Sequence, residues 1–393
     1  MPEGGHPDNP DRPTLRYLFL RFLRYGFLAW GGPVAQIGLM HRELVERDRW
    51  ISEERFRKVL ALYQALPGPE AMELAVYFGM LKRGRLGGFL AGLAFLLPGV
   101  VLLTALAALY VAFAATASWG EALLYGLRPA VIALVVLALL RLTRSSVTSL
   151  PLALVAVGAA AAAFLLPDLN FLLLLLAGGL VIAILATTPG KRQVSHASLV
   201  PLAAFTLTTG VLVGVPAFAA LFWVALKAGL FSFGGAYTAI PFLHEGAVVE
   251  HGWLTNEAFL EAFALTGLVP GPLIAFATFI GYTAGGLAGA ALATVGVFAP
   301  AFLITLLAHH HLERLVDEPH LHAFLLGVTA AVMGLIAVSL LPLAQGALVD
   351  AWTVAITLGA AALLHFPKWR IPYVIAACAV AGLALRHLPQ LIG

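Results

Sequence analysis

Four short motifs interrupt otherwise apolar stretches of this chain: the glycine pairs Gly31-Gly32 and Gly234-Gly235, and the triplets Pro67-Gly68-Pro69 and Pro270-Gly271-Pro272. Proline has no amide proton and glycine tolerates dihedrals that other residues avoid, so each motif breaks a helix. Non-helical backbone at membrane depth survives only when it is buried in protein or lines a watery cavity. The N-terminus of a half-helix carries unsatisfied N–H groups and about half a positive charge. The chemistry of such a site is non-covalent: it holds an anion. A lone Gly or Pro in a membrane helix is often only a kink. Repetition of the breaks at matched positions argues for more.

Charged residues in apolar surroundings are the next candidates. Arg128 precedes Pro129 inside a long apolar run, and its fork suits a tetrahedral oxyanion. A salt bridge, or snorkelling to the interface, accounts for the same residue. Arg24 and Lys227 are cations ahead of the two glycine pairs, placed either to add positive potential or to snorkel. Glu70 and Glu73 follow the first triplet, and a spacing of three puts them on one helix face. They are coupling candidates, as proton carriers or as partners of Arg128; Glu70 also fits as a simple N-terminal helix charge. His41 and His244 are a matched pair, read as packing histidines or as pH-sensitive coupling groups. Ser52/Thr255 and Glu54/Glu257 suit helix starts, and Trp50/Trp253 suit a membrane interface. His309-His310-His311 reads as a solvated turn, with no carboxylate cage around it.

The elements that carry these residues are repeated. Gly31-Gly32, His41, Trp50, Phe56 and Pro67-Gly68-Pro69 recur 203 positions later as Gly234-Gly235, His244, Trp253, Phe259 and Pro270-Gly271-Pro272. Pro98 matches Pro300 at a separation of 202, and Gly126 matches Gly327 at 201, so loops shorten by single residues. Thr329, Leu273 and Phe276 stand where the first copy has Arg128, Glu70 and Glu73. The expected organisation is a disordered cytoplasmic N-terminus at 1–14, a first repeat over 15–188, a loop and linking helix at 189–219, and a second repeat over 220–393. Paired halves of this kind in a membrane chain point to a transporter.

Hydrophobic residues make up 61% of the chain and charged residues 11%, with mean hydropathy +0.94. A globular domain carries roughly a quarter charged residues. Continuous apolar runs rather than alternation predict helices, so the fold class is an all-α polytopic membrane protein. The N-terminal stretch, interrupted by Arg16, Arg21 and Arg24, does not read as a signal peptide. A single cysteine, Cys378, excludes an internal disulfide and a cysteine-based metal cluster. No basic aromatic patch points to nucleic acid, no cofactor motif is present, and no metal site is read. The partners expected are an anion and the lipid bilayer; a homodimer is left open.

Charge sets the expected orientation. Lys82, Arg83 and Arg85 mark a cytoplasmic loop, whereas the matched Thr283–Gly286 is uncharged. Residues 41–58 are rich in Arg and Lys and 244–257 have neither. Equivalent loops then lie on opposite faces, which makes the repeats inverted in topology, joined by one linking helix. If 41–58 and 82–85 share a face, Val59–Leu81 is a re-entrant hairpin turning at the first triplet, and Leu15–Met40 a second turning at Gly31-Gly32. Full spans with local breaks are the alternative.

Trp30-Gly31-Gly32-Pro33, Arg49-Trp50-Ile51-Ser52-Glu53-Glu54-Arg55-Phe56 and Ala65-Leu66-Pro67-Gly68-Pro69 resemble the first half of the chromate ion transporter family. Phe233-Gly234-Gly235-Ala236-Tyr237, Gly252-Trp253-Leu254 and Pro270-Gly271-Pro272 resemble its second half. The likeness covers almost the whole chain, in the long two-domain form. Trp30 stands where that family usually has Phe, and Ala236 replaces a third glycine. The resemblance implies efflux of chromate, with sulfate as a similar oxyanion, across a bacterial or archaeal plasma membrane. A passive anion channel shares the same chemistry. A membrane phosphatase needs a nucleophile and an acid/base beside clustered arginines, and no such set follows the breaks, so an enzyme is not expected.

Overall fold

The computed structural model describes residues 13–66, 68–113, 118–167, 169–186, 217–233, 235–308, 319–366 and 370–392. Pro67, Gly234, the linking helix expected at 199–219 apart from its last residues, the N-terminal 1–12 and the triple histidine lie outside them. The regular elements among the described residues are helical. In the first half they are α1 (Leu15–Leu28), α2 (Pro33–Met40, running on through a wider turn to Arg47), α3 (Glu53–Ala65), α4 (Glu70–Phe113), α5 (Ser118–Ser146), α6 (Leu150–Leu165) and α7 (Phe171–Leu185). The second half follows with α8 (Ala217–Leu230), α9 (Ile240–His244, between short turns over Ala236–Ala239 and Glu245–Glu250), α10 (Asn256–Gly267), α11 (Phe276–Leu303), α12 (Pro319–Ala347), α13 (Ala351–His365) and α14 (Ile371–Ile392). The segments over Glu70–Phe113, Gly120–Ser146, Leu273–Leu307 and Pro319–Ala347 are long and apolar enough to cross a membrane. The chain is a multi-pass, all-α membrane protein.

Helix starts follow local chemistry. The Ser52 hydroxyl accepts the Arg55 amide at 3.2 Å, and 203 residues on the Thr255 hydroxyl accepts the Ala258 amide at 3.2 Å. Glu53, Glu54 and Glu257 occupy the first turns, where the helix dipole favours acids.

The long helix α4 folds back on itself. Arg83 (φ −138°, ψ 27°) and Gly84 (φ 61°, ψ −159°) leave the helical region. Gly79 then lies against the Gly87 carbonyl, and a Cβ at Gly79 would stand 2.5 Å from the Ala91 methyl. Residues twelve apart in a straight helix are separated by about 18 Å, so the two arms are antiparallel and in backbone contact. Gly285 and Gly286 make the same turn in α11, where Gly281 lies on the Gly289 carbonyl. These close approaches are why the positions are glycine.

The segments around the breaks are hairpins. Lys82, at the end of the first arm of α4, sits 4.9 Å from the centre of the Trp50 ring, just before α3, so α3 and that arm begin and end at the same place. Phe56 and Phe78 stack between them with ring centres 6.4 Å apart. Arg21 of α1 lies 5.0 Å from the same Trp50 ring and pairs with Asp48, so α1 and α2 also return to this end. Burial disfavours the Asp48 carboxylate, but hydrogen bonds from Arg47 and Arg21 outweigh it and hold the group below its ordinary pKa.

The second arm of α4 runs from residue 85 to 113, about 43 Å at about 1.5 Å per residue. Its start is at the base of the first-half hairpins, and near its far end Tyr110 meets Glu261 and Phe279, close to the base of the second-half hairpins. Reciprocally, Phe302, late in α11, packs on Phe89 at 5.6 Å. The remaining helices are exchanged. From the first half, α5 packs against α13 and α14; from the second, α12 packs against α6 and α7. Gly126 of α5 touches Cys378 and Gly382 of α14, and the matched Gly327 of α12 touches Gly178 of α7. One buried apolar cluster runs through both halves.

Candidate anion site where the broken helices meet

The breaks of the two halves are bonded to each other. The Gly68 amide donates to the Ser232 carbonyl at 2.9 Å, and the Gly271 amide donates to the Ala29 carbonyl at 3.1 Å. Gly68 and Gly271 are 203 positions apart, and so are Ala29 and Ser232. Gly68 and Gly271 therefore each sit against the segment just before the other half's glycine pair. Backbone conformation requires glycine here: φ is +149° at Gly68, +135° at Gly271, +97° at Gly31, +81° at Gly32 and +121° at Gly235. Pro270 and Gly271 also rest on Gly99, where a Cβ would stand 2.7 Å from the Pro270 carbonyl oxygen.

Gln36 of α2 braces this junction. It is fully buried, and its Nε2 donates to the Ala29 carbonyl at 3.2 Å and to the Gly271 carbonyl at 2.7 Å. Its Oε1 and the buried Ser232 hydroxyl have no hydrogen-bond partner among the described residues. Ala239 is the repeat counterpart of Gln36, so the brace belongs to one half. The Pro69 carbonyl accepts the Met72 and Glu73 amides at 2.9 and 3.2 Å, and Pro272 leads into a short turn over Leu273–Ala275. The amides of Gly68 and Gly271 are thus spent on holding the junction. The first-turn donors of α4 that remain are those of Glu70 and Ala71, and the first of these meets its own side-chain carboxyl.

Glu70 and Glu73 lie at the same place. Glu73 is fully buried, and neither of its carboxyl oxygens has a hydrogen-bond partner among the described residues. Its Oε1 is 2.7 Å from where a Cβ on Gly68 would stand. The Oε1 of Glu70, also buried, is 4.0 Å from where a Cβ on Gly235 would stand. The pair thus lies at Gly68 and Gly235, one residue of the break in each half.

Other candidates lie elsewhere. Arg128 is engaged: its Nε and Nη2 meet Glu261 Oε1 at 2.7 and 2.5 Å, and Tyr110 donates to Glu261 Oε2 at 2.5 Å. Of the readings open for Arg128 in the sequence, the salt bridge is the one seen, and its partner is Glu261 rather than Glu70 or Glu73. Arg24 is exposed, and Lys227 pairs with Glu250 at 3.7 Å. His41 contacts Glu53 at 2.6 Å and His244 contacts Asn256 at 2.7 Å, matched bonds that tie the end of each second helix to the start of the third. Their rings also pack on the matched Phe56 and Phe259. Gln36, Ser232, Glu261 and Tyr110 were not singled out from sequence. Gln36 and Glu261 each left one signal, a lone polar residue in an apolar helical run.

The two-part architecture has a match among known families. The model of the chromate transporter family fits residues 16–185 and 219–383. The chain belongs to the chromate transporter family. Its relatives include a chromate transport protein of Pseudomonas aeruginosa, 45% identical and covering 94% of this chain and 92% of that protein. Another, from Cupriavidus metallidurans, is 35% identical over 94% of this chain and 93% of that protein. A probable chromate transport protein of Synechococcus elongatus is 34% identical over 94% and 95%. No solved structure matches the chain. As a chromate transporter family member the chain is a membrane transporter, and both segments matched by the family model contain a glycine pair and a proline triplet.

Proposed function

We propose that this protein is a secondary transporter that exports chromate across the plasma membrane, with residues 15–188 and 220–393 as inverted repeats. The dianion rests near midplane, where the breaks of both halves converge. The observation that carries this reading is the reciprocal bonding of Gly68 to Ser232 and Gly271 to Ala29, which sets the break of each half against irregular backbone of the other. In a transporter, such backbone at membrane depth is where cargo is held. Family membership supplies the substrate class, and the relatives' names point to chromate. Arg128 supports the site indirectly, by locking α5 to α10 through Glu261.

Export follows from charge. Moving one elementary charge through 100 mV changes its energy by about 2.3 kcal/mol, so a dianion leaving a cell that is negative inside gains about twice that. Labelled chromate and sulfate flux in proteoliposomes, with an imposed potential and with or without a pH gradient, tests the reading. Saturable, potential-driven chromate flux is expected. Absence of chromate flux from correctly inserted protein would overturn it, and flux that does not saturate would indicate a channel.

A further inference from the structure

We propose that Glu73 binds the transported anion as a neutral carboxylic acid, donating its O–H to an oxygen of the oxyanion. The inference rests on the reading above and deepens it by naming a side chain that touches the cargo. Glu73 is fully buried, and neither carboxyl oxygen accepts a hydrogen bond among the described residues. A buried carboxylate persists only with a cation beside it or with hydrogen bonds to its oxygens.

Neither support is present among the described residues. Of the elements packed on α4, α1 brings Arg21, committed to Asp48 and Tyr25, and the exposed Arg24. The cations of α3, Arg55, Arg57 and Lys58, are exposed. On α4 itself Lys82 lies on the Trp50 ring, and Arg83 and Arg85 are exposed. α10 brings two acids, Glu257 and Glu261, and α11 brings Tyr282. The one charge felt at Glu73 is that of Glu70, a second acid three residues earlier on the same face. Glu73 therefore carries its proton before any anion arrives.

A protonated carboxyl is a hydrogen-bond donor. Helical side chains lean toward the N-terminus, and the Glu73 carboxyl accordingly lies against Gly68, at the start of α4. A second donor belongs to the same contact. Ser232, whose carbonyl holds the Gly68 amide, has a buried hydroxyl with no partner among the described residues. Two O–H groups beside the positive end of a helix suit an oxyanion, whose oxygens accept. The proton stays on Glu73, and no bond to chromium forms or breaks, so binding leaves the charge of the cargo unchanged. The second half has Phe276 at the matched position, so this donor comes from the first half alone.

The test separates a donor from a charge. Purified protein in detergent is titrated with chromate, with melting curves to show that each variant is folded. Glu73→Gln keeps a donor in its amide and should bind close to wild type. Glu73→Met has similar length and no donor, and should bind about ten- to a hundredfold more weakly. Infrared difference spectra of wild type give a second readout, which decides alone if the variants do not fold. Chromate should move the C=O stretch of a protonated carboxyl to lower frequency. Wild-type affinity in folded Glu73→Met would put the O–H on the main chain rather than on the anion. That result, loss of binding in folded Glu73→Gln as complete as in Glu73→Met, or no infrared shift in wild type that binds chromate, overturns the inference and leaves the transport reading standing. No chromate binding by folded wild type overturns both.

Discussion

The amide of Gly68 is bonded to the carbonyl of Ser232, a residue of the opposite half, at 2.9 Å. The same bond recurs between Gly271 and Ala29, so the two halves are clasped by a matched pair of main-chain hydrogen bonds at their breaks. Any side chain that disturbs one clasp acts on both halves at once.

Leucine at Gly68 or Gly271 should therefore abolish transport while the protein still reaches the membrane. Both positions have positive φ, and at Gly68 the new side chain also meets Glu73. Chromate flux together with immunoblotting of membrane fractions checks this, and full flux from either variant would contradict it.

The Arg128–Glu261 pair should be expensive to break singly. Glu261 is almost fully buried, and Glu261→Gln leaves the Arg128 charge without its partner, at a cost of about 3–5 kcal/mol. Replacing both by methionine should recover much of that. Melting temperatures in detergent of the single and double variants give the comparison.

Gly281→Ala tests the folded-back arms. The added methyl would press on the Gly289 carbonyl and lie 2.6 Å from the Ala293 methyl, so the arms must part, costing about 1–3 kcal/mol. A lowered melting temperature is expected. The exposed Gly158, where a Cβ meets nothing within 4 Å, is the control that should not lose stability through a clash.

Asp350 gives a pH signature outside the membrane helices. It caps α13, its carboxyl accepting the Thr353 amide at 2.9 Å and the Tyr125 hydroxyl at 2.6 Å. The Tyr125 hydrogen bond first, and then the Thr353 amide, hold its pKa below the ordinary 3.8. A depressed folded-state value means the stabilisation is present above the unfolded pKa and lost as pH falls through the folded one. Asp350→Asn should lower the melting temperature near neutrality, and the gap to wild type should narrow as pH drops below about 4.

Much of this arrangement was legible because the chain repeats itself. The breaks, the loop at Lys82–Arg85, its counterpart at Thr283–Gly286 and the caps at Ser52 and Thr255 all follow from matched residues and local chemistry. The charge asymmetry of residues 41–58 pointed to hairpins, and the Lys82–Trp50 contact has that geometry. What was hidden lies between the halves. Glu261 corresponds to Lys58 in the first copy, so comparing the repeats gives no hint that it pairs with Arg128. The exchange of α5 and α12 is equally silent in sequence, because the residues against Gly126 are more than 250 positions away. Gln36 has an alanine counterpart and reads as an isolated polar residue until the Gly271 carbonyl is placed beside it.

The central claim is that the hairpins of the two halves enter from opposite faces and meet inside. Single cysteines at the two helix turns test it most directly: Arg85→Cys and Leu287→Cys, each in a Cys378→Ser background, both positions being exposed. With a membrane-impermeant maleimide, the cysteine at 287 should label in intact cells, and the one at 85 only after the membrane is opened. Labelling of both from the same side would contradict the account.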